Sequence, residues 1–392
     1  MQIESQADLS SQWRTGGGNS RPAPGPLVAV VLPPREGFGP GRAGAIGLIA
    51  FRLAATPGFR TIVVGGEQAG PTFAGPEFHT ARPPWWLPGN INIRYAAGVA
   101  ALLRRLQPEL IEVHNRPEVA LALARRTSTA RISLILHNDP QSMRSARTPA
   151  ERHTLLARLA GVVTVSDYLR RRLLDGVAAP PTSPVVLPNC IDLSALPPRR
   201  QRERVILFVG RVVPEKAPDA FVAACAIALP RLPGWRAEII GADRSRIDSP
   251  DTRFVRGVRD AAGAAGVTLL GYRDHPDVLA ALAGASIVVV PSRWQEPFGL
   301  TALEAMASGA ALICSPRGGL PEVAGDAALY ADPDDPSALA DAILALAGDE
   351  TRRYGLAASG RARALMFDLP PTLASLASLR HAILATFRHG RG

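Results

Sequence analysis

Short β-branched runs recur along this chain, and most are followed by a stretch with helical spacing. In the first half the runs fall at residues 27–32, 61–65, 110–114, 132–136, 162–165 and 185–187, with helical stretches such as 93–106 and 119–126 between them. In the second half they fall at 205–209, 237–241, 267–270, 286–290, 311–314 and 327–330. Apolar runs of this length, without polar alternation, suit strands that are buried on both faces. Strands alternating with helices imply a parallel sheet covered by helices on both sides. The Pro- and Arg-rich stretch 194–204 separates the two series and reads as a linker. The expected organisation is a tail over 1–26, a first α/β domain over 27–195, a second over 196–368, and a terminal helical segment over 369–392.

Composition narrows the function without choosing it. A length of 392 residues favours two or more domains, and a hydrophobic fraction of 47% supplies their cores. Aromatic residues make up only 5%, which leaves few stacking platforms for nucleic acid. The formal net charge of +10 permits nucleic acid, a membrane surface or an anionic substrate. Of the 44 basic residues, Lys216 is the single lysine and the rest are Arg. The three cysteines, Cys190, Cys225 and Cys314, are too widely spaced for a metal site or a disulfide framework, which suits a reducing compartment. The segment from Met1 to Pro26 lacks the apolar core of a signal peptide. The longest apolar run, 278–290, is too short to cross a bilayer.

One stretch carries most of the chemistry. After the run ending at Val290 come Pro291 and a loop, Ser292-Arg-Trp-Gln-Glu-Pro-Phe-Gly299, then a helix-forming segment from Leu300. Gly299 allows close backbone approach at the turn, and the first N–H groups of the helix suit a phosphate. Glu296 in the loop and Glu304 one turn into the helix flank that cradle. Carboxylates repel phosphate but accept hydrogen bonds from hydroxyls, such as a sugar on one side and a ribose on the other. A second cluster follows the run ending at Val209: Gly210-Arg211-Val-Val-Pro-Glu-Lys216-Ala217-Pro218. Two cations five residues apart beside a strand end can straddle a diphosphate, with Arg211 as a fork and Lys216 as a point charge. Polar clusters also close two strands of the first domain: His114-Asn115-Arg116-Pro117 and His137-Asn138-Asp139-Pro140. Ligands of parallel sheets gather outside these strand ends. The loop at 33–44 carries Gly39 and Gly41, which either face the cleft or are merely permissive. Arg170, Arg171 and Arg172 form a run on a helix, to be read as a solvated face or as a contact for a membrane surface.

The stretch Glu296-Pro-Phe-Gly-Leu-Thr-Ala-Leu-Glu304-Ala-Met-Ala resembles the glutamate–seven residues–glutamate signature of retaining glycosyltransferases of the GT-B fold, in the large family 4. Three further segments support the resemblance: Gly210-Arg211 to Lys216, Leu187-Pro-Asn-Cys-Ile-Asp192, and Gly271-Tyr272-Arg273. It covers residues 27–365, closely in the second half and diffusely in the first. Cys190 and Ala217 stand where the family usually has Gly. The resemblance implies two Rossmann-like, doubly wound parallel-sheet domains facing a central cleft, with the terminal helix crossing back onto the first. It implies a donor site from Glu304, Gly299, Leu300, Phe298, Gly210 and Tyr272, and catalytic roles for Glu296, Arg211, Lys216 and His137. Gly39, Gly41, His114 and Arg116 would line the cleft or serve the acceptor.

The reaction implied is retaining transfer of a sugar from a UDP- or GDP-sugar to a hydroxyl of a glycan or lipid-linked glycan, in assembly of cell-surface polysaccharide or lipopolysaccharide. No cofactor, metal or nucleic-acid partner is expected. The expected place is the cytoplasm, with peripheral contact at an anionic inner membrane face. Two rivals share much of the pattern. A sugar-nucleotide epimerase has the same architecture but other motifs, and a non-catalytic sugar-nucleotide-binding protein would have lost these charged residues. A basic nucleic-acid binder would account for the charge and none of the motifs.

Overall fold

A computed structural model describes residues 25–127, 129–198, 200–244 and 250–385. The predicted tail up to residue 24, Arg199 in the predicted linker, and the predicted terminal segment from 386 lie outside them. The first domain runs β1 (Leu27–Val31), α1 (Ala45–Leu53), β2 (Arg60–Gly65), β3 (Glu77–Thr80), α2 (Ile91–Leu106), β4 (Leu110–His114), α3 (Pro117–Ala124), β5 (Arg131–Leu136), α4 (Pro149–Arg158), β6 (Gly161–Thr164), α5 (Asp167–Leu174) and β7 (Val185–Val186). The second runs β8 (Glu203–Val209), α6 (Pro218–Ala228), β9 (Arg236–Ile240), α7 (Arg253–Ala264), β10 (Val267–Gly271), α8 (His275–Gly284), β11 (Ala285–Val290), α9 (Leu300–Ser308), β12 (Ala311–Cys314), α10 (Leu320–Ala324), β13 (Ala328–Tyr330), α11 (Pro336–Gly348) and α12 (Glu350–Ala364). A last helix, α13 (Leu369–Ala385), follows.

The α/β class expected from the alternation is the one observed. The first sheet has seven strands in the order β3-β2-β1-β4-β5-β6-β7, and the second six in the order β10-β9-β8-β11-β12-β13. Every pairing between strands is parallel. Both sheets are doubly wound, so the loops at their carboxyl ends meet across a cleft. Strand β3 was not anticipated: Glu77-Phe-His-Thr80 is short and only partly buried, as an edge strand can be.

Each sheet buries both faces, which is why its central strands carry few polar residues. In the first domain Ala29, Val31 and Ile62 pack towards α2, α3 and α4. The opposite face, with Val28, Val30 and Val63, packs against Phe38, Ala50 and Ile383, the last from α13. One buried apolar cluster runs across the seam, from Ile49, Val165 and Cys190 through Phe298 and Phe367 to Leu303 and Leu312.

The chain crosses between domains twice, and the crossings touch: Ile191 N donates to Phe367 O at 2.9 Å, and Leu193 N to Asp368 Oδ1 at 3.2 Å. After the second crossing α13 lies on the first domain, held by a buried ion pair. Arg380 donates from Nε to Glu112 Oε1 at 3.0 Å and from Nη2 to Oε2 at 2.6 Å. Its guanidinium also stands 5.4 Å from the centre of the Phe59 ring. Arg380 is 0% and Glu112 2% exposed, so neither charge has water to fall back on. Removing one partner strands the other, at about 3–5 kcal/mol. Arg380→Ala is therefore expected to lower stability to urea by about that amount. Arg380→Met with Glu112→Leu should cost clearly less; equal losses in the two variants would contradict this account.

Candidate active site

The second domain builds one wall of the cleft from two loops fastened together. The loop after β8 ends in a turn at Pro214–Lys216, and the loop after β11 carries Glu296. Trp294 N donates to Glu215 O at 2.9 Å, and Ser292 Oγ to the same oxygen at 3.1 Å. This brings Lys216 Nζ to 2.5 Å from Glu296 Oε1. Glu296 is 7% exposed, and Lys216 is its one side-chain partner among the described residues. Gly318 packs beneath: a Cβ there would lie 2.3 Å from Glu296 O, and its positive φ of 65° favours glycine. Arg211, at the mouth of the same loop, is exposed and makes no ion pair with a described residue. Gly210 beside it is approached by the Gly241 backbone, where a Cβ on Gly241 would lie 1.8 Å from Gly210 O.

Gly299, with φ of 108°, turns the chain into α9, so the first N–H groups of a nine-residue helix, with Leu300 at its head, open beside Glu296. Glu304 stands one turn further on, buried, with His275 Nε2 at 2.8 Å and Arg52 Nη2 at 3.9 Å from its Oε1. Burial disfavours its charge, but the His275 hydrogen bond and the charges of His275 and Arg52 prevail and hold the carboxyl below its ordinary range. Arg52 comes from α1 in the other domain and also donates to Cys190 O at 2.8 Å. Cys190, where the family usually has Gly, is thus a buried residue whose carbonyl is used.

The first domain supplies the opposite wall. His114 Nδ1 lies 2.9 Å from His137 Nε2, with the rings stacked at 5.1 Å. Asn115 takes φ of 56° and accepts hydrogen bonds from His137 N and Asn138 N, both at 3.1 Å. Asn tolerates this left-handed backbone better than most residues. Half-buried Arg116 donates to Asn115 O at 2.8 Å. Its charge also acts on Glu36, whose carboxyl is pushed up by burial against the pull of the Gly47 and Gly44 N–H groups and of Arg116. At the rim, Tyr272 Oη lies 3.0 Å from Asp274 Oδ1 and 3.4 Å from Gly41 O. Burial and Asp274 push the Tyr272 hydroxyl up to about 12.

A clasp closes the cleft near the hinge. Both carboxylate oxygens of Glu322, in α10, accept from the start of α5: Asp167 N at 2.6 Å and Tyr168 N at 2.5 Å. Ser166 caps α5 through Leu169 N at 3.1 Å and donates to Pro297 O at 2.5 Å. Pro297 follows Glu296, so the seam grips the Glu296 loop itself.

Several sequence expectations need correcting. Phe298 does not offer its side chain to a ligand: it is 4% exposed and packs edge-on against Phe367 at 5.6 Å. His114 does not line the cleft, because it lies behind His137 with 1% exposure. Gly39 is required inside its own domain, where a Cβ would meet Pro71 O at 2.2 Å; only Gly41 faces the other domain, with Asp274 Oδ1 3.3 Å from where its Cβ would be. The run Arg170–Arg172 is occupied: Arg170 and Arg171 pair with Asp167, Arg171 also with Glu322, and Arg172 with Asp139. That leaves little free charge there for a membrane. The sequence reading passed over Arg52, His275, Glu36 and Glu322. Of these, only His275, a rare residue type close to Tyr272, offered a signal. One Asp-x-Asp does occur, but Arg317 holds both Asp332 and Asp334, at 2.9 and 2.7 Å. An apolar groove of about 780 Å³ between α6 and α7 is lined by none of the residues singled out from the sequence.

A family model described as glycosyl transferases group 1 matches residues 194–363, and one described as glycosyltransferase family 4 matches 48–195. The chain belongs to the GT-B glycosyltransferases. D-inositol 3-phosphate glycosyltransferase of Corynebacterium glutamicum is 34% identical over 187 residues, covering 46% of this chain and 44% of that protein. The matches span from about a third to three fifths of the length of the curated relatives. Sucrose-phosphate synthase of Thermosynechococcus elongatus shares the fold with a TM-score of 0.74 at 21% identity, covering 92% of this chain and 99% of its own. Anabaena HepE, solved with UDP and glucose, gives a TM-score of 0.70 at 17% identity, covering 90% and 99%. Both are GT-B architectures with the same two domains about a cleft.

Two outcomes follow from this geometry. Burial and the Arg380 charge push His114 down to about 3, and burial and His114 hold His137 well below the ordinary range. Both rings are neutral when folded, whereas in the unfolded chain they titrate near about 6.5. Below that pH the unfolded chain takes up protons that the fold does not, so stability falls as pH drops from about 6.5, by up to about 1.4 kcal/mol per pH unit for each ring. Urea midpoints between pH 7 and 5 should fall less steeply in His114→Phe; an unchanged slope would contradict the buried neutral pair. For the clasp, Glu322→Ala should retain helical circular dichroism, lose about 1–3 kcal/mol, and scatter X-rays with a larger radius of gyration. Scattering identical to the wild type would mean that Glu322 does not hold the domains together.

Proposed function

We propose that this chain transfers a glycosyl unit from a nucleoside-diphosphate sugar to an acceptor hydroxyl, with retention at the anomeric carbon. The observation that carries the reading is the Lys216–Glu296 pair at 2.5 Å, set beside the start of α9 with Glu304 on the same helix. An ammonium, a carboxylate and a helix N-terminus within one small region match a ligand that is anionic at its centre and rich in hydroxyls at its ends.

Cleaving the bond from sugar to diphosphate builds negative charge on the leaving oxygens and positive character on the ring. Lys216, Arg211 and the N–H groups at Gly299 and Leu300 stabilise that leaving charge where it develops. Lys216 exchanges its contact with Glu296 for phosphate, which frees the Glu296 carboxylate for hydroxyls of the donor sugar. Glu304, already ionised and oriented by His275, accepts from the ribose. Tyr272 and the Gly271 backbone face the base. On the other wall His137, its Nε2 engaged by His114, presents the rest of its ring towards the donor sugar, and Arg116 and Gly41 adjoin the acceptor. The proton of the acceptor hydroxyl passes to the departing phosphate on the same face, so this route assigns no step to a metal. UDP and glucose in the HepE structure favour a UDP-sugar over a GDP-sugar, and cell-surface glycan assembly on the cytoplasmic side is the setting that this chemistry suits.

Calorimetry with UDP, GDP and ADP and their sugars tests the donor site. One nucleotide should bind at micromolar concentration, and Lys216→Ala should weaken it by about tenfold or more, the loss of one charge-assisted contact. Binding that ignores the substitution, or no binding by any nucleotide, would overturn the assignment. Proton NMR of the first glycoside formed would report retention directly.

A further inference from the structure

The segment joining β3 to α2 carries the most exposed large apolar side chain among the described residues, with a second tryptophan beside it. Trp85 is 86% exposed and Trp86 67%, with Ile91 at 40% a few residues on. Indole rings normally bury most of their area, so two adjacent ones left in water need a reason. The segment is built rather than loose. Pro83, Pro84 and Pro88 stiffen it, Leu87 N closes a turn on Pro84 O at 3.3 Å, and the Arg82 backbone is pressed against α2, where a Cβ on Gly98 would lie 2.4 Å from Arg82 O. Asn90 caps α2, and Glu118 ties the Asn90 and Asn92 amides at 2.7 and 3.0 Å.

Its position follows from the topology. Strand β3 is the outer edge of the first sheet, and all strands there point their carboxyl ends towards the cleft. The tryptophans therefore stand on the outer rim of the cleft, on the side of the domain that faces the acceptor in the reading above, on which this inference rests for that assignment.

We propose that the Trp85–Trp86 segment is a membrane-interface anchor that seats the rim of the cleft on an anionic phospholipid surface. Three observations select that occupant. The rings are flanked by Pro84, Leu87, Pro88 and Ile91, an apolar set with the amphipathic indole at its tip, which is the chemistry found at the level of lipid headgroups. Arg82, exposed beside the rings, forms no salt bridge with any described residue, in contrast to the occupied run at Arg170–Arg172. A free cation beside interfacial aromatics complements anionic headgroups. A stacking site for a soluble sugar would need hydrogen-bonding side chains around the rings, and the nearest amides, Asn90 and Asn92, are already engaged by Glu118. The same surface would bring a lipid-linked acceptor and the cleft together without any membrane-spanning helix, of which the described residues contain none.

The test is sedimentation of the full chain with vesicles of phosphatidylglycerol and phosphatidylcholine, and with phosphatidylcholine alone. Tryptophan quenching by brominated lipid provides the second readout. The wild type should bind the anionic vesicles and be quenched. Trp85→Ser with Trp86→Ser should lower partitioning at least about tenfold, through loss of buried indole area, and Arg82→Ser should lower it by about fivefold. Donor binding by calorimetry in the double variant should match the wild type, so a failure here is distinct from a failure of the donor site. Absence of vesicle binding, binding unchanged in the double variant, or protection of the rings by a soluble oligosaccharide in place of vesicles would each overturn the proposal.

Discussion

The closed cleft depends on a carboxylate that serves a helix in the other domain. The first N–H groups of α5 have no partner within their own helix, as in any helix. Ser166 satisfies one of them, and Glu322 satisfies the two at Asp167 and Tyr168 from across the seam. The Ser166 hydroxyl meanwhile donates to Pro297 O, directly after Glu296. Parting the two domains here would expose the two N–H groups and an unpaired carboxylate and would release the backbone of the loop that carries Glu296. The clasp and the geometry around Glu296 are thus linked through Ser166. The chain crossings at Ile191 and Phe367 and the Arg380 anchor on Glu112 tie the domains at further points.

Charge is handled differently in the frame and in the site. Much of the arginine excess works as scaffolding, because the planar guanidinium can serve several carbonyls at once. Arg152 donates to Leu173 O, Ala146 O and Arg147 O at 2.9, 3.1 and 2.7 Å, and Arg363 to Val323 O and Glu322 O at 2.7 and 2.6 Å. Lysine could not fill such forks. In the mechanism proposed above the requirement is reversed: a compact ammonium on a flexible stem can leave Glu296 for a phosphate, whereas a guanidinium held in several bonds could not. The single lysine of the chain lies where that mechanism needs a transferable contact.

Sequence reading recovered what depends on local pattern. Parallel strands buried on both faces leave unbroken apolar runs, so nearly every strand could be placed, and the Glu296–Glu304 segment carries its strand, turn and helix within a few residues of each other. It did not recover what depends on pairing at long range. Arg52 meets Glu304 across 252 positions, and Glu322 meets Asp167 across 155. Nothing near either residue marks it. Burial was equally hidden. Phe298 looked like a ligand contact because it sits inside the motif, yet the motif needs it as a wedge against Phe367. His114 and His137 both looked open to the cleft, and only the fold sets one behind the other. The Arg170–Arg172 run looked free because two of its acidic partners, Asp139 and Glu322, come from other elements; only Asp167 is local.

Ala217 shows how the loop after β8 tolerates a departure from its family without losing shape. Its φ of 55° and ψ of 43° put it in the left-handed region, where the family's glycine sits at no steric cost and an alanine is strained by about 1–2 kcal/mol. Local contacts offset part of the strain. Ala217 N donates to Pro214 O at 3.1 Å, its methyl is fully buried, and Pro218 supplies the fixed φ that the first residue of α6 requires. Alanine and proline also have fewer unfolded conformations than glycine and an ordinary residue, which recovers a part of the cost of the left-handed alanine but less than the whole. The residue thus stiffened is the one that directly follows Lys216. A left-handed residue in a buried setting fixes the turn that carries the ammonium to Glu296. In the proposed mechanism that pre-organises the loop backbone, while the side-chain stem stays free to exchange Glu296 for phosphate.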